Sequence, residues 1–168
     1  MSKGREIRCY DYVNHPYEEV QSVLTKNALA VFRSATKAAA SRAQSVAAEL
    51  RVDLAGIAVE ADINITLKNI EEEAPEAMSG PVTRLLLEWE ASKLPRLFPW
   101  MKAELAFYPL TSTETQLDFS GVYEPPLGAV GKALNAVAGH RIAEVSVHRF
   151  VNDVAGYLRQ ILGKQPPA

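Results

Sequence analysis

Three consecutive segments in the middle of the chain alternate apolar and polar residues, and this alternation constrains the fold more than any other feature. Successive side chains of a β-strand point to opposite faces of a sheet, so the pattern predicts strands with one apolar face. The strands are predicted over residues 83–91, 101–108 and 115–123. Their inward positions are Leu85, Leu87, Trp89, Met101, Ala103, Leu105, Phe107, Leu117, Phe119, Gly121 and Tyr123. Another element has to cover such a one-sided sheet.

A long amphipathic helix is predicted after the last of these strands. The sheet ends at Glu124-Pro125-Pro126, because proline has no N–H to give to a strand ladder. A helical segment follows over residues 127–162, bent or broken near Gly139, and residues 164–168 form a frayed tail. Its second half carries one wide apolar stripe: Ala143, Val147, Phe150, Val151, Val154, Leu158, Ile161 and Leu162. This helix is long and apolar enough to cover the sheet.

The first half of the chain is predicted to hold two strands and two helices. A strand over 6–13 precedes a short helix over 17–25, and an Ala-rich helix follows over 28–49 with a modest apolar stripe. The period then changes to that of a half-buried strand over 59–68, and residues 71–80, with three successive glutamates, are predicted as a surface loop. The order of these elements indicates an α+β fold rather than an alternating α/β fold.

Length, composition and charge narrow the class of protein. A chain of 168 residues is expected to form one domain over 1–168, and its 48% apolar and 23% charged residues are typical of a globular protein. A net charge of -2 makes nucleic acid an unexpected partner. The single cysteine, Cys9, suits a reducing compartment, and no signal peptide or apolar run long enough to span a membrane is present. We therefore expect a cytoplasmic protein without stable membrane insertion.

Three short segments carry a resemblance to a known superfamily. The turn over 121–128 (GVYEPPLG), which leads into the closing helix, resembles that of the START-like or Bet v 1-like (SRPBCC) superfamily. The segments 87–91 with 97–99, and 15–20 after the first strand, are also similar to it. The resemblance covers about 83–162, and Gln21 stands where an aromatic residue is common. It implies the helix-grip fold, a curved antiparallel sheet wrapped around a long C-terminal helix.

The resemblance implies several functions, because its members bind or carry lipids and other apolar molecules, cyclise polyketides, or assist chaperones. The leading hypothesis is a protein that binds or carries an apolar or lipid-like molecule in an internal cavity. The alternatives are a polyketide cyclase or dehydratase-like enzyme, and an interaction module with a solid core. A homodimer is a further expectation. The residues predicted to line the cavity are Ile63, Ile65, Leu87, Trp89, Phe98, Met101, Leu105, Phe107, Phe119, Tyr123, Val147 and Val151.

No catalytic residue, metal site or cofactor is predicted from the sequence. The strongest polar pattern is His140, Glu144 and His148, which follow one another at four-residue spacing along one side of a helix. Such a row can bind zinc or orient an imidazole. His148, however, lies about 160° around the helix from Phe150, so these three residues are expected to form surface ion pairs. Cys9 is expected to be a buried, unreactive thiol.

Overall fold

The structure is a computed structural model, and it describes residues 5–49, 63–73, 80–91, 100–124 and 136–163. The described elements, in chain order, are β1 (Arg5–Val13), α1 (Tyr17–Lys26), α2 (Ala28–Glu49), β2 (Ile63–Glu73), β3 (Val82–Ala91), β4 (Trp100–Thr111), β5 (Glu114–Glu124) and α3 (Ala136–Gly163). The expectations for residues 59–62, 97–99, 127–135 and 164–168 lie outside the described residues.

The five described strands form one antiparallel sheet with the order β1-β5-β4-β3-β2. The first strand in the chain therefore lies beside the last one, and Arg5 is paired with Tyr123 across them. A tight turn at residues 112–113 joins β4 to β5 as a hairpin. The architecture is α+β, with the helices on the concave face of the sheet, and it is the helix-grip arrangement that the resemblance implies.

The alternation in the sequence corresponds to the two faces of the sheet. All eleven predicted inward residues of β3, β4 and β5 are buried, and residues between them such as Arg84 and Glu104 lie on the opposite face, where they form an ion pair at 3.1 Å. The predicted inward face of the middle strands is confirmed. It packs against the α3 stripe, in which every predicted residue is buried except Ile161, which is partly buried.

An aromatic cluster at the centre of the molecule joins the sheet to both long helices. The Phe150 ring of α3 lies 4.8 Å from the Trp89 ring and 6.2 Å from the Phe119 ring, between ring centroids. On its other side Phe150 stacks with Phe32 of α2 at 5.9 Å. Edge-to-face and offset aromatic pairs of this kind add to the energy of apolar burial. The concave face is thus covered by α3 and α2 together.

The prediction of a loop over 71–80 is wrong for its first three residues. Glu71, Glu72 and Glu73 continue β2 and pair with Arg84, Thr83 and Val82 of β3. A bulge between Leu67 and Asn69 shifts the register just before them. Because β2 is an edge strand among those described, hydrogen bonds from one neighbour hold the glutamates in the sheet, while the side chains of Glu71 and Glu72 are exposed to water. Pairing with β3 overrides the low strand propensity of glutamate.

Polar contacts fix the C-terminal half of α3 against β1 and α2. The Arg159 guanidinium donates to the Tyr12 carbonyl and lies 3.0 Å from the Asp11 carboxylate on β1. The Ser34 hydroxyl of α2 donates to Asp153 of α3 at 2.9 Å. These bonds join elements that are more than a hundred residues apart in the chain. Within the described part of the chain, no helix is both long and apolar enough to cross a membrane.

Candidate functional site

One row of paired residues crosses the sheet near one end and brings several predicted site residues together. In register order it consists of Arg5 on β1, Tyr123 on β5, Met101 on β4, Trp89 on β3 and Ile65 on β2. We call it the Tyr123 row. The Tyr123, Met101 and Trp89 side chains are buried, at 2%, 0% and 0% exposure. These three residues of the row therefore present one phenol beside two largely apolar side chains on the inner face.

The hydroxyl of Tyr123 bonds to a histidine on the first turns of α3. Tyr123 Oη lies 2.7 Å from Nδ1 of His140, and the two rings are tilted with centroids 5.9 Å apart. The other ring nitrogen, Nε2, lies 3.7 Å from the Glu144 carboxylate, four residues further along the helix. The His140 and Glu144 side chains are 36% and 45% exposed. A chain of polar groups therefore leads from a buried phenol to solvent.

The electrostatic surroundings keep the phenol of Tyr123 protonated. Burial raises its pKa above 10.0, and the nearby Glu144 carboxylate adds to that rise, while the positive charge of the Arg5 guanidinium opposes it. At neutral pH the hydroxyl is thus a hydrogen-bond donor rather than a phenolate. When it donates to Nδ1 of His140, the proton on the ring lies on Nε2 and faces Glu144.

His148, the last residue of the polar row on α3, contacts a different strand. Its Nδ1 lies 3.4 Å from Sγ of Cys9 on β1. Burial, with the Asp11 and Asp118 carboxylates, raises the pKa of the Cys9 thiol to about 11. The thiol is therefore protonated at neutral pH and a poor nucleophile, since the thiolate is the reactive form. Cys9 is buried, as predicted.

The expectation that His140, Glu144 and His148 form surface ion pairs is met in part: His140 lies 3.7 Å from Glu144, and both side chains are partly exposed, but contacts with the sheet were not expected. Two of the three reach across to the sheet, His140 to Tyr123 and His148 to Cys9. Angles around the helix separate a buried face from a solvent face only where the covering sheet is flat. His140 lies only about 80° around the helix from Phe150, on the flank of the stripe. A curved sheet wraps that flank, and β1 with the adjacent β5 supplies its partners.

The predicted cavity-lining residues lie in different parts of the interior. Nine of them are buried, namely Leu87, Trp89, Met101, Leu105, Phe107, Phe119, Tyr123, Val147 and Val151. Ile63 and Ile65 lie on β2, where they pair with Ala91 and Trp89, and Phe98 lies outside the described residues. The binding of a ligand by these residues stays a prediction.

Phe107 lies apart from the Tyr123 row, at the opposite end of the sheet. Its ring centroid is 5.8 Å from that of Tyr17 on α1, and the Tyr17 hydroxyl bonds to the buried Thr83 hydroxyl at 2.6 Å. The polar groups of that end thus satisfy one another. At the Tyr123 row the partner of the phenol, His140, is partly exposed, so the two ends of the sheet differ in their access to solvent.

The two polar residues beside Tyr123 were not assigned to a site from the sequence. His140 belonged to a pattern that the sequence does show, the four-residue spacing on α3. Arg5 lies in the first strand, and only the pairing of β1 with β5 places it beside Tyr123. No local signal in the sequence could have found Arg5. In the described part of the chain, no group of three or more His, Cys, Asp and Glu side chains is arranged to hold a metal ion.

Several solved structures are similar to this chain at low sequence identity. The chain is similar to the protein TTHA0849 from Thermus thermophilus, with a TM-score of 0.50, 12% identity, and 96% of this chain and 100% of the other covered. It is also similar to the Zhui aromatase/cyclase from Streptomyces sp. R1128, with a TM-score of 0.46, 13% identity, and 94% and 95% coverage. A START superfamily protein from Mycobacterium smegmatis gives 0.44, 12% identity, and 94% and 99% coverage.

The element order, the sheet topology and the position of α3 define a helix-grip α+β fold, an antiparallel sheet around a long C-terminal helix. At identities this low, the likeness concerns the fold and does not extend to activity. No protein-family model matches the chain, and no curated protein matches it in sequence.

Proposed function

We propose that the protein binds or carries an apolar, lipid-like small molecule whose polar end lies against Tyr123 and His140. The observation that carries the proposal is the Tyr123 hydroxyl, buried on an apolar inner face and bonded to an imidazole that is 36% exposed on its side chain. Ligand sites are typically apolar surfaces with a few well-placed polar groups, and this end of the interior has that composition. The bound molecule would carry a hydroxyl, carbonyl or carboxylate oxygen.

The side chains beside Tyr123 suit an apolar ligand. Met101 lies next to it in the row and Trp89 follows, so the inner face there consists of a flexible thioether and an indole ring. Methionine adapts its shape to irregular apolar partners. The opposite end, where Tyr17 and Thr83 already bond to each other, offers no comparable anchor for a polar group.

Native mass spectrometry of the freshly purified protein, followed by extraction, tests whether an organic molecule is bound. Added ligand can be followed through the emission of Trp89 in a Trp100→Phe background, because Trp100 is the other tryptophan and is 38% exposed. We expect oleyl alcohol and oleate to change this emission, and octadecene, which has no oxygen, to bind more weakly.

Tyr123→Phe should weaken binding of oleyl alcohol about fivefold to tenfold, the value of one hydrogen bond of about 1 kcal/mol. Tyr10→Phe is the matched control, since Tyr10 is 75% exposed on the outer face of β1. A protein that releases no organic compound and whose Trp89 emission ignores all three probes would contradict the proposal. Equal binding by Tyr123→Phe would contradict the assigned position of the polar end.

A second candidate function is an enzyme of the cyclase or dehydratase kind, and the chain Tyr123–His140–Glu144 favours it. A protonated phenol can donate a hydrogen bond to a carbonyl oxygen of a substrate and polarise it, while the imidazole of His140, whose other nitrogen faces Glu144, positions the phenol. Arg5 adds a positive charge at the same phenol. The nearness of a tyrosine, a histidine and an arginine to one another supports this candidate.

Turnover of poly-β-ketone thioesters by the purified protein tests the second candidate. If the phenol is a catalytic acid, Tyr123→Phe should lower kcat by about a hundredfold or more, and His140→Gln should lower it as well. A binding protein would lose affinity in Tyr123→Phe and show no turnover in either form. Unchanged kcat in both variants would exclude this mechanism.

The third candidate, an interaction module, rests on the packed aromatic cluster around Phe150, which fills the centre of the interior. It predicts that Trp89 emission is insensitive to every apolar probe while a protein partner still binds. The expected homodimer belongs to this candidate as well as to the first. Sedimentation at the mass of one chain would contradict the homodimer.

A further inference from the structure

A polar groove lies on the outer surface between α2 and α3, away from the Tyr123 row. Ser34 of α2 lines it on one side, and Arg149, Asp153, Gly156 and Tyr157 of α3 line it on the other. Its volume is about 250 Å³. That is below the range of about 300–1,000 Å³ typical of pockets for drug-sized ligands. The groove therefore suits a small occupant.

Two small residues keep the groove open. An added Cβ at Gly156 would meet no atom within 4 Å, so no neighbour in the described residues requires a glycine there. A glycine inside a helix makes the helix less stable than an alanine does. Because Gly156 has no side chain, a bound molecule can approach the backbone of α3 closely there. Ser34, opposite it, is also small. A bound molecule can therefore reach the floor of the groove and contact both α2 and α3.

The charges in the groove are opposite in sign and do not pair with each other. Arg149 and Asp153 are four residues apart on one face of α3, a spacing that allows an ion pair. Among the described residues no ion pair within 4 Å joins them, and Asp153 instead accepts a hydrogen bond from the Ser34 hydroxyl at 2.9 Å. The carboxylate is held toward α2, and the guanidinium and the carboxylate offer two separate positions to a ligand.

We propose that this groove binds a small zwitterion, namely a free α-amino acid. Its carboxylate lies on the Arg149 guanidinium, whose planar fork matches a carboxylate. Its ammonium group lies on Asp153, and the Tyr157 ring, one turn further along α3, provides a cation–π contact. The rise of four residues, about 6 Å along the helix axis, separates the two charged anchors.

Two amide side chains complete the polar lining. Asn152 and Gln160 flank Gly156 at four-residue spacing on the neighbouring line of α3, and both are exposed. Each supplies a donor and an acceptor beside the charged anchors. The proposal is independent of the proposed function, since none of these residues belongs to the Tyr123 row.

Amide chemical-shift titration of the isotope-labelled full chain tests the proposal. The probes are L-leucine and L-glutamate, with acetate and methylammonium as single-charge controls. We expect saturable shifts centred on Ser34 and Gly156 for the amino acids, and binding about tenfold or more weaker for the controls, since each lacks one charged contact. Equally strong binding of acetate would overturn the zwitterion and leave a simple anion site.

Variants separate this groove from other sites. Arg149→Gln and Asp153→Asn should each weaken binding about tenfold, and Gly156→Ala should weaken it by filling the groove. Arg141→Gln, an exposed residue of the same helix outside the groove, and Tyr123→Phe should leave it unchanged. Thermal melting of each variant checks that it is folded. The absence of saturable shifts, or shifts that persist in Gly156→Ala and Arg149→Gln alike, would overturn the proposal.

Discussion

Alanine at two glycines, Gly121 on β5 and Gly156 on α3, should change stability in opposite directions. At Gly121 an ideal Cβ would lie 2.7 Å from Sδ of Met101 and 3.1 Å from Cε1 of Phe119, both inside normal contact distance. At Gly156 it would meet nothing within 4 Å. The same chemical change thus adds one methyl group to a filled interior in one case and to open space in the other.

The magnitudes follow from packing and chain entropy. Overfilling a packed core costs about 1–3 kcal/mol, while replacing glycine recovers about 0.4–1 kcal/mol through the unfolded chain. The first effect is larger, so Gly121→Ala should lose about 1–2 kcal/mol of unfolding free energy. Gly156→Ala should gain about 0.5–1 kcal/mol, because alanine is the better helix former. For a chain of this size, these changes shift Tm by about 2–4 °C per kcal/mol.

Urea unfolding of the two variants beside the unchanged protein measures both effects. Met101→Ala in the Gly121→Ala background supplies a further check, because removing the crowded thioether should make the cost of the added methyl smaller than in the single variant. A Gly121→Ala protein as stable as the original would show that Met101 and Phe119 move aside freely. The packing of the inner face would then be looser than the distances indicate.

Three further predictions concern other parts of the molecule. The native pKa of Cys9, about 11, lies above its ordinary value of 9.0. The buried neutral thiol therefore stabilises the fold fully below pH 9, and this stabilisation is lost as the pH rises through 11. Urea unfolding should show that the unfolding free energy falls by up to about 2–3 kcal/mol over this range, and that this fall is missing in Cys9→Ala. Arg159→Gln should cost about 1 kcal/mol because α3 loses its bonds to β1, whereas Arg141→Gln, an exposed change on the same helix, should be neutral by the same assay. Phe150→Ala should cost about 3–5 kcal/mol, since this ring contacts both the sheet and α2; a loss below about 1 kcal/mol by chemical unfolding would contradict its central position.

The sequence by itself determined which residues of the middle strands turn inward. Leu85, Leu105 and Phe119 could be assigned because the two-residue period of a strand is a local property of the chain. The apolar stripe of α3 could be assigned for the same reason, since a helix also repeats locally. The α+β class and the helix-grip arrangement followed from these periods together with the resemblance of short segments to a superfamily.

Tertiary structure alone decided which polar groups meet. Tyr123 and His140 could each be named from the sequence, but their bond depends on the curvature that brings β5 to the flank of α3. Arg5 joins them only because the first strand pairs with the last, and Glu71 lies in a strand only because β3 supplies its hydrogen bonds. Periodicity records which way a side chain points within its own element. Contacts between elements that are far apart in the chain depend on how the whole chain packs, and no local pattern in the sequence encodes them.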